Sequence, residues 1–318
     1  MRNNFKKNIF NKYKHFTVSK YWKFVNPETD IGIFFFIKKK FQHFISKFLK
    51  LKIQNISNQD KNVAFKSYVT DKKILDYQSK LICHKLNFFF SKLNLYFDNL
   101  DYLKILNNYR KIFRKSKIQN LEGGIGYNNG LFIFSFNKLL KTKFFIESGT
   151  YKGFSSYLIE RSSNPNQKIY SFDINLKQLE WKSKKIKYFE NDITFFNQNI
   201  DWQDCIIFFD DHYSHYDRLL FSYKKKVKYL IFDDDVGYLN LHSDGTPPIP
   251  TLNMMKSYKF MPKKFQWIFN NNLCKANMSG IKFGNSLINL YHSNTVPDIF
   301  ELTGYRNSSS TSFLLLKN

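Results

Sequence analysis

Between Phe144 and Asp235 the chain holds five short apolar runs, each closing on an acid or an amide, with longer segments between them. The runs are KFFIES, KIYSFDI, KYFEND, DCIIFFDD and VKYLIFDDD. They show no apolar/polar alternation, as expected of strands buried on both faces. The intervening GFSSYLIER, NLKQLEWKSKK and HYDRLLFSYKKK carry helical spacing. Strands of this kind alternating with helices predict an α/β fold, a doubly wound and mostly parallel sheet covered on both sides.

In such a sheet, ligands bind beyond the carboxyl ends of the strands. The residues there are Glu147, Asp173, Asn191 with Asp192, Asp210 with Asp211, and Asp233 to Asp235, a rim rich in oxygen ligands that packing alone does not predict. After the first run, Gly149 and Gly153 bracket Thr150, Tyr151 and Lys152, so a ligand can approach the backbone. No Gly-Lys-Ser/Thr ends this loop and no third glycine completes GxGxxG, which excludes both common phosphate-binding fingerprints. Glu147 would repel a phosphate and suits a ligand carrying positive charge.

The pattern Glu147, Gly149, Tyr151, Gly153, Ser155 resembles the class I S-adenosylmethionine (SAM)-dependent methyltransferases, in the branch with catechol O-methyltransferase and cephalosporin-hydroxylase-like proteins. The resemblance covers Phe144 to Val236 well, the terminal strand weakly and the first 120 residues not at all. It implies a Rossmann-like methyltransferase fold whose glycine loop, Thr150 included, wraps the methionine part of SAM. Asp173 then matches the acid that accepts from the two ribose hydroxyls, and Asn191 or Asp192 the adenine contact. By the same resemblance Asp211, Asp234 and Asp235 are candidate metal ligands with Asp210 as alternate for Asp211, and Asp210 and His212 lie near the cofactor. Ligands that are all oxygen suit Mg²⁺ better than zinc. Where the catechol enzyme has a proton-accepting lysine this chain has Ser214, so His212, His215 or a metal-bound hydroxyl has to substitute. His212 and Asp211 are the catalytic candidates, while His215 and His242 read as loop or surface histidines. The implied reaction is methylation, probed first as O-methylation, of a small molecule or glycan, with Tyr238 to Thr251 and the Asn/Gly segment Leu121 to Gly130 shaping the acceptor pocket.

Residues 1–119 are basic, rich in Lys, Asn and Phe, and from Leu75 to Lys115 helically periodic. They read as a helical extension covering one face of the domain at 120–318, with residues 1–30 partly disordered. The net charge of +25 would suit nucleic acid, giving an RNA methyltransferase as one alternative and a non-catalytic binding module as another. The joint excess of Lys, Asn, Ile, Phe and Tyr is what AT-rich coding produces, so nucleic acid is not the favoured partner. Cys83, Cys205 and Cys274 form no CxxC pair, no secretion signal opens the chain, and IGIFFFI at Ile31 to Ile37 is too short to span a bilayer. The expected location is the cytoplasm.

Overall fold

The computed structural model describes residues 71–93, 99–116, 124–240, 249–269, 272–293, 299–305 and 308–317. The expectations for residues 1–30, for IGIFFFI and for His242 fall outside them. All five runs form strands: β1 (Phe144–Ser148), β2 (Lys168–Phe172), β3 (Ile186–Phe189), β4 (Cys205–Phe209) and β5 (Tyr229–Phe232). With β8 (Ile288–His292) and β9 (Ser312–Leu316) they build a seven-stranded sheet in the order β3-β2-β1-β4-β5-β9-β8. β1 to β5 are mutually parallel; β9 runs antiparallel to β5 and to β8. The order reverses between β1 and β4, which places the crevice expected of this topology over their carboxyl ends.

Side chains alternate across the sheet. Phe145, Ile206, Phe208 and Ile231 enter one core; their neighbours Ile146, Ile207, Phe209, Leu230 and Phe232 enter the other. The first core is closed by α1 (Lys72–Lys92), α2 (Asn99–Lys115), α3 (Tyr127–Leu140) and α4 (Phe154–Ser162). The second is closed by α5 (His215–Lys225), α6 (Leu252–Lys256) and α7 (Met278–Leu287). A short α8 (Phe300–Thr303) and a hairpin of β6 (Gln266–Phe269) and β7 (Asn272–Lys275) complete the described elements. The helical periodicity before residue 116 thus resolves into two helices that share a core with the sheet. Among the described residues no helix is long and apolar enough to cross a membrane.

Two local expectations fail. The Asn/Gly segment at Leu121 to Gly130, whose glycines and asparagines have the composition of a loop, turns helical at Tyr127. Its polar side chains point inward and find partners: Asn128 Nδ2 donates to the Tyr305 carbonyl at 2.6 Å, and Asn129 Nδ2 to Thr311 Oγ1 at 2.8 Å. The segment NLKQLEWKSKK, expected to be helical, keeps only a 3₁₀ turn at Leu176–Gln178. Beyond it the amides of Glu180 and Trp181 donate to the Lys152 carbonyl at 3.1 and 3.2 Å, tying the segment to the glycine loop instead of to itself.

Phe136 of α3 is fully buried and touches the rings of Phe90 in α1 and Phe313 in β9, joining the outer helices to the sheet. Phe136→Ala is expected to lower unfolding stability by about 3–5 kcal/mol, read by urea denaturation.

Candidate functional site

The turn after β1 is held by the molecule's own backbone. Gly149 has φ +100°, and a Cβ there would lie 2.1 Å from the Asp210 carbonyl oxygen after β4. Gly153 has φ +87°, and its Cβ would lie 2.5 Å from the Trp181 carbonyl. Any side chain at either position is excluded twice, by conformation and by contact. Asp173, at the end of β2, clamps the loop between them: its Oδ2 accepts the amides of Thr150 and Tyr151 at 3.0 and 2.8 Å, and its Oδ1 accepts from Asn175 at 2.9 Å. Lys152 turns aside to Glu180 at 3.3 Å.

Glu147 lies under the loop, fully buried. Its Oε2 accepts from Ser156, from Ser171 at 2.6 Å and from Thr150 at 3.3 Å, while Oε1 is buried without a partner. Burial pushes this carboxyl's pKa up, and the hydroxyls of Ser155, Ser156, Ser171 and Thr150 pull against it.

The acids of the other strands divide into two groups. Arg218 of α5, almost fully buried, sends Nη1 and Nη2 to Asp192 at 3.0 and 2.6 Å, and Nη2 also to Asp211 at 2.8 Å. Asp211 further accepts from Ser148 Oγ at 2.5 Å. Burial alone would raise the Asp192 pKa, but the bonds from Arg218 and Thr194 hold it at about 2. Asn191 is exposed. Arg218 is a residue of this rim that the sequence reading missed; its one signal is a charged side chain on the apolar face of HYDRLLFSYKK.

Among the described residues no arginine pairs with the second group. Asp210, His212 and Asp234 bring potential ligand atoms within 4.8 Å of one another. His212 Nδ1 stands 3.4 Å from Asp234 Oδ2. Burial, then Asp233, Asp234, Glu147 and Asp211, push the Asp210 pKa well up. Burial and Asp234 raise Asp233 to about 6 against the hydroxyls of Ser309 and Thr311, which donate to its Oδ1 at 2.5 and 2.7 Å.

Asp211 and Asp235 do not join that group. Asp211 faces Arg218, and Asp235 is buried beneath β8 and β9, accepting from the Asn253 amide at 2.7 Å and from the hydroxyls of Tyr291 and Ser312. His215, expected at the surface, is buried at the first turn of α5, where Nδ1 accepts from the Leu252 amide at 3.3 Å. Ser214 caps α5, accepting the Asp217 amide at 3.3 Å.

Backbone strain marks the same rim. Of the non-glycine residues with positive φ, Lys141 and Lys226 end helices, whereas Tyr151, His212 and Asp234 follow β1, β4 and β5. Such positions cost roughly 1–3 kcal/mol each and gather where function requires a fixed geometry.

No family model matches the chain, and no curated protein matches it by sequence. Solved structures are similar at low identity. The O-methyltransferase TomG from Streptomyces achromogenes, in complex with SAM, is 12% identical over 73% of this chain and 96% of its own, with a TM-score of 0.40. An O-methyltransferase from Bacillus cereus in complex with SAH is 11% identical over 76% of this chain and 100% of its own, at 0.38. The Podospora anserina methyltransferase PaMTH1, bound to SAH, is 10% identical over 80% and 100%, at 0.37. Likeness at this level assigns neither cofactor nor activity to this chain.

Removing Arg218 strands two carboxylates. Arg218→Met is expected to destabilise by about 3–5 kcal/mol in chemical denaturation, with partial recovery when Asp192→Asn and Asp211→Asn are added. Asp192 titrates below the ordinary ~3.9, so its contribution, roughly 2 kcal/mol, is complete above that pH and disappears as pH falls toward 2. Wild type is therefore expected to lose stability more steeply than Asp192→Asn between about pH 4 and 2, by thermal melts across that range.

Proposed function

We propose that this chain is a SAM-dependent methyltransferase that transfers the methyl group to an oxygen of a small acceptor. The observation that carries this reading is the imbalance of charge at the switch point: Asp210, Asp233 and Asp234 crowd beside the glycine loop, burial and neighbouring carboxylates push the Asp210 and Asp233 pKa values up, and among the described residues no arginine pairs with them as Arg218 pairs with Asp192 and Asp211. A cationic ligand relieves that crowding, and a carboxylate at the end of β2 suits a diol. The donor set therefore fits SAM, an adenosyl sulfonium carrying an amino group.

When bound, SAM supplies an already activated methyl group. The chain's own residues have three tasks. The Gly149–Gly153 backbone and Asp173 hold the ligand, Asp173 accepting from a ribose hydroxyl through the Oδ1 lone pair that the Thr150, Tyr151 and Asn175 amides leave over. Asn191 and Asp192 lie at the end of β3, where the adenine contact is expected. His212 takes the acceptor's proton: Asp234 at Nδ1 favours the tautomer that puts the basic lone pair on Nε2. Alignment and exclusion of water then account for the rest of the rate.

A second reading rests on the 4.8 Å grouping of Asp210, His212 and Asp234. A divalent cation held there would acidify the acceptor hydroxyl. The imidazole makes the set as suitable for Mn²⁺ as for Mg²⁺.

Calorimetric titration of SAM into the full chain is expected to give a dissociation constant in the micromolar range. Asp173→Asn, which keeps an acceptor for the loop amides but lowers capacity for the diol, is expected to weaken binding about tenfold, near 1.4 kcal/mol. No heat with SAM, with or without Mg²⁺ or Mn²⁺, defeats the proposal. For the cation, Asp234→Asn is expected to remove any Mg²⁺ or Mn²⁺ heat seen with the wild type; wild-type protein silent to both ions leaves His212 as the base.

A further inference from the structure

A cavity of about 240 Å³, lined in part by His212, opens between the start of α5, the turn at Ile249–Pro250, the β6–β7 hairpin and α7. Resting on the methyltransferase reading, we propose that this cavity is the acceptor site and takes a planar, mainly apolar hydroxylated molecule of one or two fused rings.

The walls dictate the shape. Tyr213, Tyr216 and Trp267 contribute three aromatic rings, and Ile249, Pro250 and Ile281 supply aliphatic surface. Aromatic faces favour a flat partner that can stack or meet them edge-on. An apolar cavity near ~150 Å³ is enough for benzene, so the larger volume here admits one substituted ring or two fused rings and little beyond.

These walls are fixed before any ligand arrives. The Tyr216 amide donates to the Pro250 carbonyl at 3.2 Å, tying α5 to the proline turn. On α7, a Cβ at Gly284 would lie 3.0 Å from Tyr216 Cδ2, so the glycine lets the Tyr216 ring rest against the helix. The Arg218 guanidinium sits 4.5 Å from the centre of the Tyr213 ring, so the buried cation that binds Asp192 and Asp211 also braces this wall. Rigid walls cut the ordering cost of binding.

One residue joins cavity to rim. His212 lines the cavity and also belongs to the group with Asp210 and Asp234. A ring packed between the tyrosines and Trp267 therefore presents a hydroxyl at that end to the imidazole, where deprotonation is needed. Asp217 and Lys275, of opposite charge, both line the cavity, so its outer part favours neither a strongly anionic nor a strongly cationic acceptor. Polar substituents there are tolerated.

Cys274 offers a way to close the cavity after folding. It is half-buried in the cavity wall, whereas Cys83 and Cys205 are buried, and burial pushes the Cys83 thiol to about 11 and the Cys205 thiol well up. N-phenylmaleimide should therefore add once, at Cys274, as mass spectrometry would verify. The probe is 2-naphthol, followed by its fluorescence on titration with the full chain, with methyl glucoside as the sugar counterpart and SAM titrated into the same samples. Naphthol binding that falls at least tenfold on labelling, and falls similarly in Trp267→Ala, with SAM affinity moved less than threefold, supports the acceptor site. Naphthol affinity untouched by the label and by Trp267→Ala, absence of naphthol binding, or binding of methyl glucoside in its place overturns it. Failure of SAM to bind unlabelled protein is a different result: it removes the methyltransferase reading and the acceptor role with it, whatever naphthol does.

Discussion

Among the described residues, Arg218 decides which carboxylates at the strand ends pair with an arginine. Buried among Asp192, Asp211 and the rings of Phe209 and Tyr213, it satisfies two acids at once, whereas Asp234 faces His212 and Asp233 takes the hydroxyls of Ser309 and Thr311. A buried ion pair of this kind adds little net stability, because desolvation consumes most of the Coulombic gain. Its value lies in assignment. Of a rim of acids that looks uniform in sequence, Asp192 and Asp211 are tied to Arg218 and the others are not.

The strands were legible because parallel strands covered on both faces are written as unbroken apolar runs, and each of the five runs is a strand. The crevice was legible too, since the acids follow the runs and the topology places them on one edge. What each acid does was not. Asp211 and Asp235 read as metal ligands beside Asp234, yet one turns to Arg218 and the other to Asn253, Tyr291 and Ser312, a choice made by residues 7 to 77 positions away in the chain. Glu147 read as a neighbour of a bound cation, yet three hydroxyls gather its carboxyl under the loop. NLKQLEWKSKK has leucines and a tryptophan at near-helical spacing, but the Lys152 carbonyl competes successfully for its amides. Short-range pattern reports which face is apolar; it carries no record of a distant acceptor.

The two glycines after β1 look like space cleared for a ligand. In the folded chain the space beside each is filled by a carbonyl, from Asp210 at one and Trp181 at the other. Those contacts tie the loop to β4 on one side and to the segment after β2 on the other, while Asp173 fixes the amides between. The loop is thereby shaped without help from a ligand, which is what a site needs if binding is not to spend its free energy on ordering backbone.

The same economy explains why strain is tolerated at Tyr151, His212 and Asp234. Each follows a central strand locked into the sheet on both sides, β1 between β2 and β4, β4 between β1 and β5, and β5 between β4 and β9. A left-handed backbone at an ordinary side chain relaxes wherever the flanking chain can move; here the flanking chain is the middle of a seven-stranded sheet with a packed core on either face. The sheet thus supplies the rigidity that the rim converts into geometry. His212 in particular is held by its own turn between Asp234 and the aromatic cavity, so that one side chain faces both the acids Asp210 and Asp234 and the cavity.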